Sequence, residues 1–154
     1  MEKSNNKIKN NRHDIILSEF YSDVSVADSS LMEDSCIVVY LYYSEQFEYY
    51  WTEYLCAIAD SIDIVIISSS EDVLKKARNC CIRNNYRRVQ VIGKQNRGRD
   101  ISALLIAAAP ILRKYKYFCF VHDKKAKDAS SKKIMDVWTK YLWECSISSL
   151  AYIY

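Results

Sequence analysis

The chain has 154 residues but only two glycines, Gly93 and Gly98, and a single proline, Pro110. So little of either excludes collagen-like, mucin-like and low-complexity disordered polymers. The six cysteines, Cys36, Cys56, Cys80, Cys81, Cys119 and Cys145, include no C-x-x-C pair. Three of them sit in or beside apolar runs, which predicts reduced, buried thiols rather than a disulfide or zinc framework. Adjacent Cys80 and Cys81 would make a strained disulfide and a poor metal pair. No P-loop, G-x-G-x-x-G, H-E-x-x-H or G-x-S-x-G occurs, which argues against the common NTPases, dehydrogenases, zinc proteases and serine hydrolases. The apolar group nearest the basic N-terminus, Ile15-Ile16-Leu17, is far too short for a signal peptide, and no run approaches a membrane span. A cytoplasmic, soluble protein with no transmembrane segment is expected. The net charge of +3 is too mild for a nucleic-acid coat, so no nucleic-acid partner is expected.

What is present is a globular composition: half the residues are hydrophobic, and there are 13 tyrosines, which suit half-buried surfaces and contacts with sugars or bases. Residues Met1–Ser35 are expected to form a polar arm, because their first part, rich in Lys, Asn and Arg, cannot bury enough surface to order itself. The folded domain is expected over 36–154. Cys36–Tyr43 is a continuous apolar, β-branched and aromatic run, the pattern of a strand covered on both faces. Ser44 offers a helix cap, and Phe47, Tyr50, Trp51, Tyr54, Leu55 and Ile58 follow as one apolar stripe.

Ile62–Ile67 predicts a second strand, and Ser68–Asp72 ends it and caps the next helix. Val73, Leu74, Ala77, Cys81 and Ile82 supply that helix's apolar face, with Asn84-Asn85 as its stop. Arg88–Ile92 predicts a third strand and Tyr117–Val121 a fourth, with a helix over Ile101–Tyr115 between them. That helix should present Leu104, Leu105, Ala108, Ile111 and Leu112 to the core, and Pro110 should kink or restart it. Met135, Val137, Trp138, Tyr141 and Leu142 pattern a last amphipathic helix. Such alternation predicts an α/β fold: a mostly parallel sheet with helices on both faces, strand order 3-2-1-4, and a crevice between strands 1 and 4 where the winding reverses.

Two polar clusters then fall at the same sheet edge. Asn96-Arg97-Gly98-Arg99-Asp100 places one of the two glycines between two arginines, where it permits a positive φ or close approach of a ligand. Arg97 and Arg99 carry planar forks suited to diphosphate, and the helix that follows adds amide donors. An ordinary capped turn, with Asp100 as the N-cap, explains the same residues without a ligand. His122-Asp123-Lys124-Lys125 follows the fourth strand. Asp123 is the candidate ligand for a divalent metal, Mg or Mn, but its lysine neighbours would repel one and can themselves neutralise a diphosphate. Ser68, Ser69, Ser70, Glu71 and Asp72 share the edge and could read a base or ribose; capping explains them equally.

Asn96–Asp100, Tyr115-Lys116-Tyr117, His122–Lys125 and Trp138 with Tyr141-Leu142, in this order and spacing, resemble the rhamnan synthesis protein F family over about Cys36–Ser149. The chain departs from that pattern at Ile101-Ser102-Ala103 and at Ala126. The resemblance implies the nucleotide-binding half of a GT-A-like, Rossmann-like fold and a glycosyltransferase, by expectation a rhamnosyltransferase, of bacterial cell-surface polysaccharide synthesis. It implies a nucleotide-sugar donor, dTDP-L-rhamnose, a polysaccharide or lipid-linked acceptor, and peripheral work at the inner face of the membrane. Asn96, Arg97, Gly98, Arg99, Asp100, His122, Asp123, Lys124 and Lys125 are the implied donor-binding residues. No residue is assigned as catalytic base, and the acceptor half is expected to be missing from this chain, which ends at Tyr154. The alternative expectation is a non-catalytic module that docks a partner glycosyltransferase through an exposed helix bearing Trp138, Tyr141 and Trp143.

Overall fold

The structure, a computed structural model, describes residues 32–126 and 128–148. Most of the expected polar arm, 1–31, therefore lies outside the described residues. The described end of that stretch packs on the domain: Met32 is buried, and Asp34 pairs with Lys116.

Strands β1 (Ser35–Tyr40), β2 (Asp63–Ser68), β3 (Val89–Gly93) and β4 (Tyr117–His122) form one parallel sheet in the order β3-β2-β1-β4. This is the order expected from the alternation of strands and helices. Alternate residues of the central strands face opposite layers. Ile37, Val39, Ile64 and Ile66 enter one core, and Cys36, Val38, Tyr40, Val65 and Ile67 enter the other.

The first layer is built by three helices. Helix α1 begins at Phe47–Tyr50 and widens into a π-helical turn at Trp51–Leu55. All six residues of its predicted stripe are buried, from Phe47 to Ile58. Ser44 does not cap it: Gln46 stands at the N-cap, and the Ser44 carbonyl accepts from Lys76 Nζ at 2.7 Å. Helix α2 (Glu71–Asn84) ends on Asn85 in the left-handed conformation, φ 55°, as the Asn84-Asn85 stop predicts. Val73, Leu74 and Ala77 face inward, but Ile82 is 78% exposed and Cys80 packs in its stead. Ser70 occupies the N-cap position without capping by its side chain; its own amide donates to Ser68 Oγ at 3.0 Å.

Helix α4 (Ala129–Trp143, continued by a π-helical turn at Glu144–Ser148) completes this layer. Its inward residues are Thr139, Trp143 and Ile147, whereas Val137, Trp138 and Tyr141 are exposed. Trp143 is thus not part of an outward docking face. It stacks on Tyr50 at 4.3 Å, and its indole donates to the His122 carbonyl at 3.1 Å. That pairing of a large apolar body with one satisfied donor is what a buried Trp requires.

The second layer is helix α3, which runs through Arg99–Ser102, a π-helical stretch Ala103–Ala108 and Ala109–Leu112. Pro110 has no N–H to give, so the regular ladder cannot continue through it, and the helix restarts there after the wider turn. Ala103 and Ala108 are buried and Ile111 and Leu112 pack beside them, but Leu105 is 66% exposed. The small alanines let this helix lie close on the sheet. At the lower sheet edge, Tyr115 donates to Asp63 at 2.7 Å, and Arg88 pairs with the other oxygen of Asp63. The motif residues Tyr115 and Lys116 therefore tie the end of the sheet opposite the polar clusters. None of the six cysteines is in a disulfide, and burial pushes the Cys36 thiol up to about 12.

Candidate functional site

Winding reverses between β1 and β4, so the chain leaves their C-terminal ends in opposite directions and opens a crevice there. A cleft of about 490 Å³ occupies this place. It is lined by Asn96 of the β3–α3 loop, by Arg99 and Asp100 at the start of α3, by His122 at the end of β4, and by Asp123, Lys124 and Lys125 after it. Seven of the nine predicted site residues thus share one cavity. Arg97 and Gly98 lie in the β3–α3 loop but not on the cleft wall.

The β3–α3 loop is held in shape by its own backbone. Gly98 has φ 67°, and a Cβ there would stand 2.6 Å from Ser102 Cβ, so glycine is required. Arg99 follows at φ 47°, an uncommon conformation for a side-chain-bearing residue. Ser102 Oγ donates to the Arg99 carbonyl at 3.0 Å and also to that of Arg97, closing the turn. Lys94 Nζ donates to the carbonyls of Gln95 and Arg97, and lies over the Tyr40 ring. Gly98, not Asp100, holds the N-cap position of α3; Asp100 sits in the first turn, where the helix dipole favours it.

On the facing wall, Asp123 is only 5% exposed. Its Oδ2 accepts the amides of Tyr42 and Tyr43, both at 2.7 Å, and its own amide donates to the Tyr40 carbonyl. The carboxylate therefore latches the exit of β1 to the exit of β4. Burial pushes the Asp123 carboxyl up to about 6, against the opposing pull of those two amides. His122 Nδ1 lies 2.9 Å from the Asp123 carbonyl, which can only accept, so this nitrogen carries the proton. In the neutral ring Nε2 is then an acceptor, and it faces Asp100 Oδ2 at 3.7 Å. Lys125 pairs with Glu45 at 2.5 Å and crosses the Tyr43 ring. Among the described residues, the side chains of Arg97, Arg99 and Lys124 make no ion pair.

Sequence patterning missed Tyr40, Tyr42, Tyr43, Asp128, Ser131 and Met135, which also line the cleft. The three tyrosines had a signal: they end the central strand at the switch point. The Ser68–Asp72 cluster does not line the cleft; Ser69 Oγ meets Tyr40 OH at 3.1 Å and braces that ring from behind. The donor set does not fit a resident divalent ion. Asp123 Oδ2 is taken by two amides, and among the described residues no three His, Cys, Asp or Glu side chains converge.

A parallel sheet of this order, with a tyrosine-walled basic cleft at its switch point, defines an α/β domain of the Rossmann-like class. The chain belongs to the rhamnan synthesis protein F family, whose model matches residues 3–153. Membership implies involvement in rhamnan synthesis. No curated protein and no solved structure matches the chain. Among the described residues, no helix is long and apolar enough to cross a membrane.

Proposed function

We propose that the chain is the donor-binding domain of a glycosyltransferase, in the first instance a rhamnosyltransferase of bacterial cell-surface polysaccharide synthesis. The carrying observation is the convergence of Arg99, Lys124 and Lys125 with Tyr40, Tyr42 and Tyr43 on one cleft at the switch point. A nucleoside diphosphate sugar presents anionic oxygens, ring faces and hydroxyls, and the cleft offers a complement to each. The cationic side chains would stabilise the diphosphate as the anomeric C–O bond breaks and negative charge gathers on the leaving group. Asp100 and His122 Nε2 would hold sugar hydroxyls, and the tyrosine rings would carry the base or the sugar. The acceptor is a polysaccharide or lipid-linked sugar at the inner face of the membrane. No side chain of the cleft is assigned here as the base that activates it.

Calorimetry with dTDP-L-rhamnose and with dTDP tests this reading. Binding by the wild type is expected, and Arg99→Ala should weaken it about tenfold or more, the value of a charge-assisted contact. No binding by the wild type, or equal binding by Arg99→Ala, would remove the assignment. A second reading, a non-catalytic module that docks a partner glycosyltransferase, is favoured by the exposed Ile134, Val137 and Trp138 on α4. Rhamnosyl transfer by the isolated chain would exclude it.

A further inference from the structure

A divalent ion that bridges diphosphate to protein needs carboxylate oxygens turned to the ligand and not already spent. Three aspartates line the cleft, and two of them, Asp123 and Asp128, already hold hydrogen-bond donors of the protein. Asp123 Oδ2 holds the amides of Tyr42 and Tyr43. Asp128 Oδ1 accepts from the Ser131 amide at 2.8 Å and the Ser130 hydroxyl at 2.6 Å, capping α4. Asp100, 3.7 Å from His122 Nε2, is the one aspartate of the cleft without such a donor, and one carboxylate is not a cage. The cationic side chains are in the opposite condition. Arg99 and Lys124 have no ion-pair partner among the described residues, and Lys125 shares only the exposed Glu45. An arriving diphosphate would meet available positive charge and no available carboxylate cage.

We propose that the cleft binds a nucleoside diphosphate without a divalent ion, the charge being met by Arg99, Lys124 and Lys125. This rests on the donor-binding reading given above. Arg99 can take two phosphate oxygens in its planar fork, and the lysines act as point charges beside it. Asp123 is then a latch and not a ligand. It fixes Tyr42 and Tyr43 where they wall the cleft, so its position after β4 serves the shape of the site.

The experiment is a calorimetric titration of the full chain with dTDP, once in EDTA and once with Mg²⁺ or Mn²⁺. The dissociation constants in the two buffers should agree within about twofold. Lys124→Ala should weaken binding about tenfold or more in EDTA, as loss of a charge-assisted contact requires. The ratio of the two affinities should stay the same in Asp123→Asn. Binding seen only with metal, or a metal-dependent gain that Asp123→Asn abolishes, would overturn the inference and leave the donor-binding reading standing. No binding in either buffer would overturn both. If Asp123→Asn does not fold, the wild-type comparison and Lys124→Ala decide the question alone.

Discussion

Replacing Asp123 with asparagine keeps the shape of the side chain and removes a buried charge. The carboxyl is 5% exposed, and burial moves its pKa from the ordinary 3.8 to about 6. The folded state therefore holds this proton more tightly than the unfolded state. The sign follows from linkage: stability from this group is greatest below the unfolded value, is lost as pH rises through the folded one, and is flat beyond. The full displacement corresponds to roughly 3 kcal/mol at about 1.4 kcal/mol per pH unit. Asparagine cannot titrate, so the stability of Asp123→Asn relative to wild type should climb by roughly this amount from pH ~4 to ~7. Differences in how well a neutral carbonyl accepts the Tyr42 and Tyr43 amides shift the whole curve and leave its slope. Urea unfolding of both proteins across this range is the assay. Asp123→Ala serves as control, since each amide left unanswered costs ~1–3 kcal/mol at every pH. Parallel curves for wild type and Asp123→Asn would refute the burial argument.

The other predictions concern packing and loop geometry. Trp143→Ala removes a fully buried ring stacked on Tyr50 and should cost ~3–5 kcal/mol in urea unfolding. Trp138→Ala, on the outward face of the same helix, should stay within about 1 kcal/mol of wild type. Gly98→Ala should cost ~1–3 kcal/mol, because the new Cβ is forced into both a left-handed backbone and the Ser102 side chain. Gly93→Ala should cost less, since its Cβ meets only the movable Leu74 Cδ1 at 3.1 Å. Thermal unfolding of the two alanine variants compares them directly.

The strand order was legible because runs such as Cys36–Tyr43 and Tyr117–Val121 are continuous and apolar, and crossover handedness leaves few ways to join them. The meeting of the two polar clusters at one sheet edge followed from the same logic, since both come after strands. Helix faces were less legible. In α4 two overlapping stripes, one through Val137, Trp138 and Tyr141 and one through Thr139, Trp143 and Ile147, are both apolar enough to be buried. Tyr50, stacked on Trp143, and Tyr54, tilted against it, select the second, contacts no local pattern encodes. Likewise Ile82 and Leu105 fit a helical stripe but point outward, because Cys80 and the small Ala108 already fill the space against the sheet. The role of Asp123 was hidden for a different reason. Its partners are backbone amides about eighty positions earlier, and amides carry no sequence signature.

The cleft between the ends of β1 and β4 is proposed to hold a nucleoside diphosphate sugar. Backbone hydrogen exchange, followed with and without dTDP-L-rhamnose, tests it most directly. Slowed exchange is expected at Tyr42–Tyr43, Asn96–Asp100 and His122–Lys125, with little change across α2. Protection confined to other segments, or none at saturating ligand, would contradict it.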